Sequence, residues 1–168
     1  MKATIFFNAL LFSALSITAG STVADQNPDA KMLERGRYIL MTSGCNDCHT
    51  PGYPEQAGNI PQQDWVTGNP VGFQGPWGTT YPANLRLKMQ NLTKDQWMGQ
   101  ARSARRPPMP WFMLRDMTDY DLKSIYHFIR SLGPKGKPAP AYVPPGQPAA
   151  TPYIEFFPKN PPQQHASR

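Results

Sequence analysis

The run Cys45-Asn46-Asp47-Cys48-His49 constrains this chain more than any other feature. Two cysteines three positions apart with a histidine directly after them have the spacing at which two thioether bonds fix one macrocycle. The adjacent imidazole then reaches its iron from one face. The motif predicts one covalent haem c, attached through Cys45 and Cys48, with His49 as an axial iron ligand. No other cysteine occurs in the 168 residues. Rival uses of the pair fit less well. A closed zinc site wants four ligands, and only His127 and His165 remain to complete one. A thioredoxin-type dithiol belongs to an alternating strand and helix pattern, which this sequence lacks, and a disulfide across so short a loop would constrain little of the unfolded chain.

Composition points the same way. A hydrophobic fraction of 39% is low for a self-sufficient core, and 20 prolines are far more than an ordinary domain of this length carries. A buried macrocycle would supply the missing apolar mass, because whatever free energy binds it also stabilises the folded state. The first 24 residues read as an export signal. Lys2 is a short positive start, Ile5, Phe6, Phe7, Leu10, Leu11, Phe12 and Leu15 make an apolar stretch, and Thr22-Val23-Ala24 is a small-x-small cleavage site. That stretch falls short of the roughly 20 apolar residues of a bilayer span, so the reading is cleavage after Ala24 and a soluble periplasmic remainder rather than a membrane anchor. Removing residues 1–24 leaves 16 basic against 11 acidic residues, +5 instead of +6. The mild positive balance suits a redox partner with an acidic docking patch. No block of lysine and arginine interleaves with aromatics, so nucleic acid is not an expected partner.

Three segments carry helical signals. Met32, Leu33, Gly36, Ile39 and Leu40 recur at three- and four-residue steps and stop at Thr42-Ser43-Gly44, just before the cysteine motif. Thr93 can cap a short helix through Trp97, Met98 and Ala101, which ends before Pro107. The third is the clearest. Thr118 is its cap, Asp119 and Asp121 sit in the positive first turn, and Leu122, Ile125, Tyr126, Ile129 and Leu132 form one apolar face, with Gly133-Pro134 as a stop. Residues 50–91, rich in Pro, Gly and Asn, show neither helix nor strand period, and predict a long loop organised by a ligand. Ten of the 20 prolines fall in the last 35 residues. This tail is predicted to be extended, either as a disordered terminus or as an arm laid over the body or a partner through Tyr142, Tyr153, Ile154, Phe156 and Phe157.

For the second axial ligand, Met109 stands out among the methionines. It lies in Arg105-Arg106-Pro107-Pro108-Met109-Pro110-Trp111, where prolines forbid a continuous helix and hold a stiff loop that can aim a thioether at iron, with Met113 and Met117 as alternatives. Imidazole opposite thioether raises the reduction potential relative to two imidazoles. Arg102, Arg105 and Arg106 read either as a docking rim or as a solvated helix end.

Taken in order, Gly36-Arg37-Tyr38, Cys45 to Thr50, Pro107 to Phe112, Met117 to Leu122 and Ile125 to Arg130 resemble a class I cytochrome c. More narrowly they resemble bacterial monohaem domains related to cytochrome subunits of periplasmic dehydrogenases, over about residues 30–133. The resemblance implies an all-α fold around one haem, with the first and last helices crossing so that Gly36 meets Phe128 or Tyr126. It implies that Gly75 to Leu85 wraps the propionate edge, with Trp77, Tyr81, Asn84 and Arg86 as donors, and that the carbonyl of Pro51 or Pro61 orients His49. The proline-rich tail departs from the family pattern.

The expectation is therefore a signal peptide (1–24), a cytochrome c domain (25–133) and a proline-rich extension (134–168). Its function would be single-electron transfer, not substrate transformation, either alone or as the carrier subunit of an oxidoreductase. The alternative is a haem enzyme or gas sensor with an open or labile sixth position, and in a third reading the chain is a docking subunit whose tail matters more than its haem.

Overall fold

A computed structural model of the protein describes residues 29–159, so the predicted export signal and His165 lie outside the described residues. Asp29 caps the first helix, α1 (Ala30–Thr42), its carboxylate accepting from the Met32 amide at 2.6 Å. The face carrying Gly36, Ile39 and Leu40 is buried. Gly44 then turns the chain with φ +69°, a value glycine reaches without steric cost, and delivers it into the single-turn helix α2 (Cys45–His49).

Helix α6 (Asp119–Ser131) begins as its sequence predicts, with the Thr118 hydroxyl accepting from the Asp121 amide at 3.1 Å. It buries Leu122, Ile125, Tyr126 and Ile129. Helices α1 and α6 cross at Gly36. A Cβ there would lie 2.6 Å from the Phe128 Cβ and 2.7 Å from the Ser124 carbonyl carbon, and would strike the Ser124 carbonyl oxygen. The backbones can approach this closely only because position 36 has no side chain. Of the two partners implied for it, Phe128 is met, and Ser124 takes the place of Tyr126. On the outer side the Arg35 guanidinium binds Asp121 at 2.8 Å and holds that carboxyl below its ordinary range.

Helix α4 (Lys94–Ala101) carries a complete capping box between Thr93 and Gln96, and its Trp97 indole donates to the Leu122 carbonyl of α6 at 2.8 Å. Helix α5 (Trp111–Asp116) follows the proline loop. Leu40, Val66, Met89, Leu122 and Ile129 lie wholly inside the core these helices share. No helix among the described residues is long and apolar enough to cross a membrane.

The all-α expectation is corrected by a small sheet. Strand β1 (Gly72–Gly75) pairs antiparallel with β2 (Gly78–Thr80) and parallel with β3 (Tyr153–Glu155), in the order β2-β1-β3. Strands of three or four residues are too short to carry a period-two signal, and the parallel partner of β1 comes some eighty positions later. The segment 50–91 is likewise more ordered than its composition suggests. It holds a 3₁₀ turn at Gln62–Asp64 and a six-residue helix, α3 (Leu85–Gln90), capped by Asn84.

Arg86 of α3 is 3% exposed and joins distant pieces of backbone. Its guanidinium donates to the Leu132 and Gly133 carbonyls after α6 and to the Gln63 carbonyl at 3.1 Å. Without it the carbonyls at the end of α6 lose their donors inside the protein. Arg86→Met is therefore expected to cost about 3 kcal/mol, read as a lower urea midpoint at unchanged slope. An unchanged midpoint would mean that those carbonyls find water instead.

Residues 134–159 lie against the body. The Asn84 amide donates to the Lys135 and Lys137 carbonyls, Val143 pairs with Thr79, the Tyr142 hydroxyl donates to the Trp77 carbonyl at 2.8 Å, and Phe156 packs on Phe73 and Trp77. Of the two readings of the tail, the described part is an arm laid on its own chain.

Candidate functional site

A mostly apolar cavity of about 320 Å³ opens between α2, the 80–88 segment, the proline loop and the arm. That volume is within the range of small-molecule and cofactor sites. Cys45, Cys48 and His49 form part of its wall, and Met109, Met113 and Met117 line it as well. Leu40 of α1 and Ile125 and Ile129 of α6 bring the core face of the crossed helices to its surface.

The two cysteines are not bridged. Burial pushes the Cys45 thiol up to about 11 and raises that of Cys48, so both are neutral thiols at pH 7 and not the thiolates of a reactive dithiol pair. His49 is buried, which lowers its pKa and keeps the imidazole neutral. Its Nδ1 lies 2.8 Å from the Ala83 carbonyl. A carbonyl can only accept, so Nδ1 carries the proton and Nε2 keeps the free lone pair. The orienting carbonyl is thus that of Ala83 and not that of Pro51 or Pro61. A partner 34 residues away, in a segment with no periodicity, leaves no trace in the sequence near the histidine.

The motif is braced from behind. The Thr50 hydroxyl donates to the Asn46 side chain at 2.8 Å and accepts from the Val66 amide at 2.8 Å, and the Gly68 amide donates to the His49 carbonyl at 2.8 Å. The loop with Met109 is tied to β2 at one point and tightened by a turn of its own. The Thr80 hydroxyl donates to the Pro107 carbonyl at 2.9 Å, and the Trp111 amide donates to the Met109 carbonyl at 2.8 Å.

The structure separates the four residues expected to donate to the propionates. Tyr81 lines the cavity, its hydroxyl accepting from Thr151 at 3.0 Å. Asn84 and Arg86 do not line it, because their donors are engaged by the backbone carbonyls described above. Trp77 also lies outside the lining, and its buried indole N–H has no acceptor among the described residues. The basic residues before Met109 divide too. Arg102 binds Asp119 and the Arg115 carbonyl, whereas Arg105 and Arg106 line the cavity. Lys88, which nothing in the sequence marks for the purpose, lines it with them. Among the described residues, no three His, Cys, Asp or Glu side chains gather in a metal-binding group.

Comparison with known proteins agrees with this geometry. The cytochrome c family profile matches residues 33–133. The chain is 26% identical over 157 residues to a nicotinate dehydrogenase subunit of Pseudomonas putida, covering 83% of this chain and 12% of that protein. It is 25% identical over 153 residues to the fructose dehydrogenase cytochrome subunit of Gluconobacter japonicus, covering 83% of this chain and 30% of that protein. The chain therefore spans less than a third of either relative's length. No solved structure matches it. With the cysteine motif, a neutral histidine and a methionine loop around one mostly apolar cavity, the chain belongs to the cytochrome c family, as a haem-binding class I c-type cytochrome that resembles the cytochrome subunits of dehydrogenases.

Proposed function

We propose that the protein is an exported carrier of single electrons, with one haem c held through Cys45 and Cys48 and ligated by His49 and Met109. The observation that carries this reading is the convergence of both thiols, a neutral imidazole whose Nε2 keeps its lone pair and the Met109 loop on one mostly apolar cavity. These residues fit the group. The thiols can form thioethers with its vinyl carbons, the imidazole has a lone pair to give, and the walls are mostly apolar. Bound haem supplies an iron that exchanges one electron between its ferric and ferrous states.

The chain's own part is positional. The Ala83 carbonyl fixes the tautomer and direction of His49 and makes its ring a better donor. The Thr80 bond to Pro107 and the turn closed by Trp111 limit how far Met109 can move. If His49 and Met109 both held the iron, no coordination position would remain for a substrate, which would suit a carrier rather than an enzyme. The names of the relatives support a place beside a substrate-oxidising dehydrogenase, taking electrons from it and passing them on. Residues 1–24 support delivery to the periplasm.

Met109→Ala tests the ligand assignment. Wild-type protein matured in a periplasm is expected to give a low-spin ferric spectrum and to take up carbon monoxide poorly when reduced. The variant is expected to become high-spin and to bind carbon monoxide readily while keeping its covalent haem. A wild-type spectrum already high-spin, or a variant indistinguishable from wild type, would remove Met109 from the iron, and the first of these results would favour a haem enzyme or gas sensor.

A further inference from the structure

The cavity that takes the proposed haem has a one-sided charge. Three basic residues, Lys88, Arg105 and Arg106, line it, and no aspartate or glutamate does. Its remaining titratable lining groups are Cys45, Cys48, His49, Tyr81 and Tyr142. Lys88 and Arg105 are both half-buried. The Lys88 ammonium has no hydrogen bond or ion pair among the described residues, and the Arg105 guanidinium donates only to the Gln100 carbonyl near the end of α4. Burial and the nearby Arg105 lower the pKa of Lys88, so the two cations are near enough to repel one another. Arg106 is held over the Tyr142 ring of the arm, 4.0 Å from its centroid. Like charges gathered in an apolar wall without a counter-charge are costly, and an anion placed between them offsets that cost.

We propose that Lys88 and Arg105, flanked by Arg106, form a carboxylate-binding site in the cavity wall that takes the two acidic side arms of the macrocycle. The proposal rests on the haem reading above. It also accounts for the lack of any role for Asn84 and Arg86 there, since their donors are engaged by backbone. A guanidinium offers a planar fork to one carboxylate and an ammonium offers a point charge, so the two cations suit two acidic arms.

The test uses the full, haem-loaded protein. Lys88→Gln, Arg105→Gln and the double variant are compared with Lys31→Gln, which removes the same charge from the exposed start of α1. The propionate bending bands of the resonance Raman spectrum are expected to move in each cavity variant and to stay in place in Lys31→Gln. The double variant should also shift the one-electron equilibrium about tenfold toward the oxidised state, ~59 mV, because a cation near the iron disfavours the ferric charge. Lys88→Arg, which keeps the charge, should retain bands close to wild type even where a glutamine variant fails to fold. Unchanged bands in haem-loaded cavity variants would overturn the proposal. If those variants instead lost electron-transfer rate only at low salt, the cations would belong to partner docking. Wild-type protein without covalent haem would sink the haem reading itself, before any variant is compared.

Discussion

Gly36→Val is expected to cost about 4 kcal/mol or more, enough to remove most of the stability of a domain of this size. Helix propensity alone predicts the opposite sign, since replacing a mid-helix glycine by a residue such as alanine is worth up to about 1 kcal/mol. Packing decides the matter. The first atom added at position 36 would lie 2.6 Å from the Phe128 Cβ and against the Ser124 carbonyl, and neither can swing aside as the tip of a long side chain could. α1 must therefore move away from α6, and Leu40, Ile125 and Ile129 line the cavity from those two helices. Gly36→Ala should fall between wild type and valine. Urea midpoints of the three proteins provide the measurement, and a valine variant within about 1 kcal/mol of wild type would show that the crossing is looser than its geometry indicates.

Cys45→Ala/Cys48→Ala should retain no pigment after denaturation and extraction into acidified organic solvent, and should lose its cooperative melt as well. The second effect follows from the volume left unfilled. Leu40, Leu85, Trp97, Ile125 and Ile129 line a mostly apolar cavity of about 320 Å³ and would be left facing water. A chain with 39% hydrophobic residues has little other apolar mass to offset such a loss. The expected product keeps part of its far-ultraviolet helical signal and loses near-ultraviolet structure. A sharp two-state unfolding transition in this variant, with native near-ultraviolet dichroism, would show that the polypeptide folds around the space without its occupant.

These two substitutions lie where the sequence is most readable, for a physical reason. The cysteine motif, the Thr118 cap and the face of α6 are written in residues a few positions apart. The family resemblance, which implies the helix crossing, covers nearly the segment the cytochrome c profile matches, 33–133. What the sequence hides is non-local. The Ala83 carbonyl reaches His49 across 34 residues, and Arg86 reaches the end of α6 across 46 and 47. A sequence displays which side chains own donors but not which carbonyls will take them, so Asn84 and Arg86 read as available although the backbone engages both. Lys88 goes unmarked for the mirror-image reason. Nothing in Leu87-Lys88-Met89 distinguishes a cation facing the cavity from one facing water. The sheet is hidden because each of its strands is too short to show a pattern alone and its edge partner arrives from the far end of the chain.

The parallel pairing of Gly72 with Tyr153 ties the last strand among the described residues to the first. Pro140 and Tyr142, which wall the cavity, belong to the same arm, so one flank of the cavity is closed by a segment that lies beyond the crossed helices in the chain. A protein truncated after α6 would therefore keep the helix crossing and the cysteine motif while leaving that flank open to solvent.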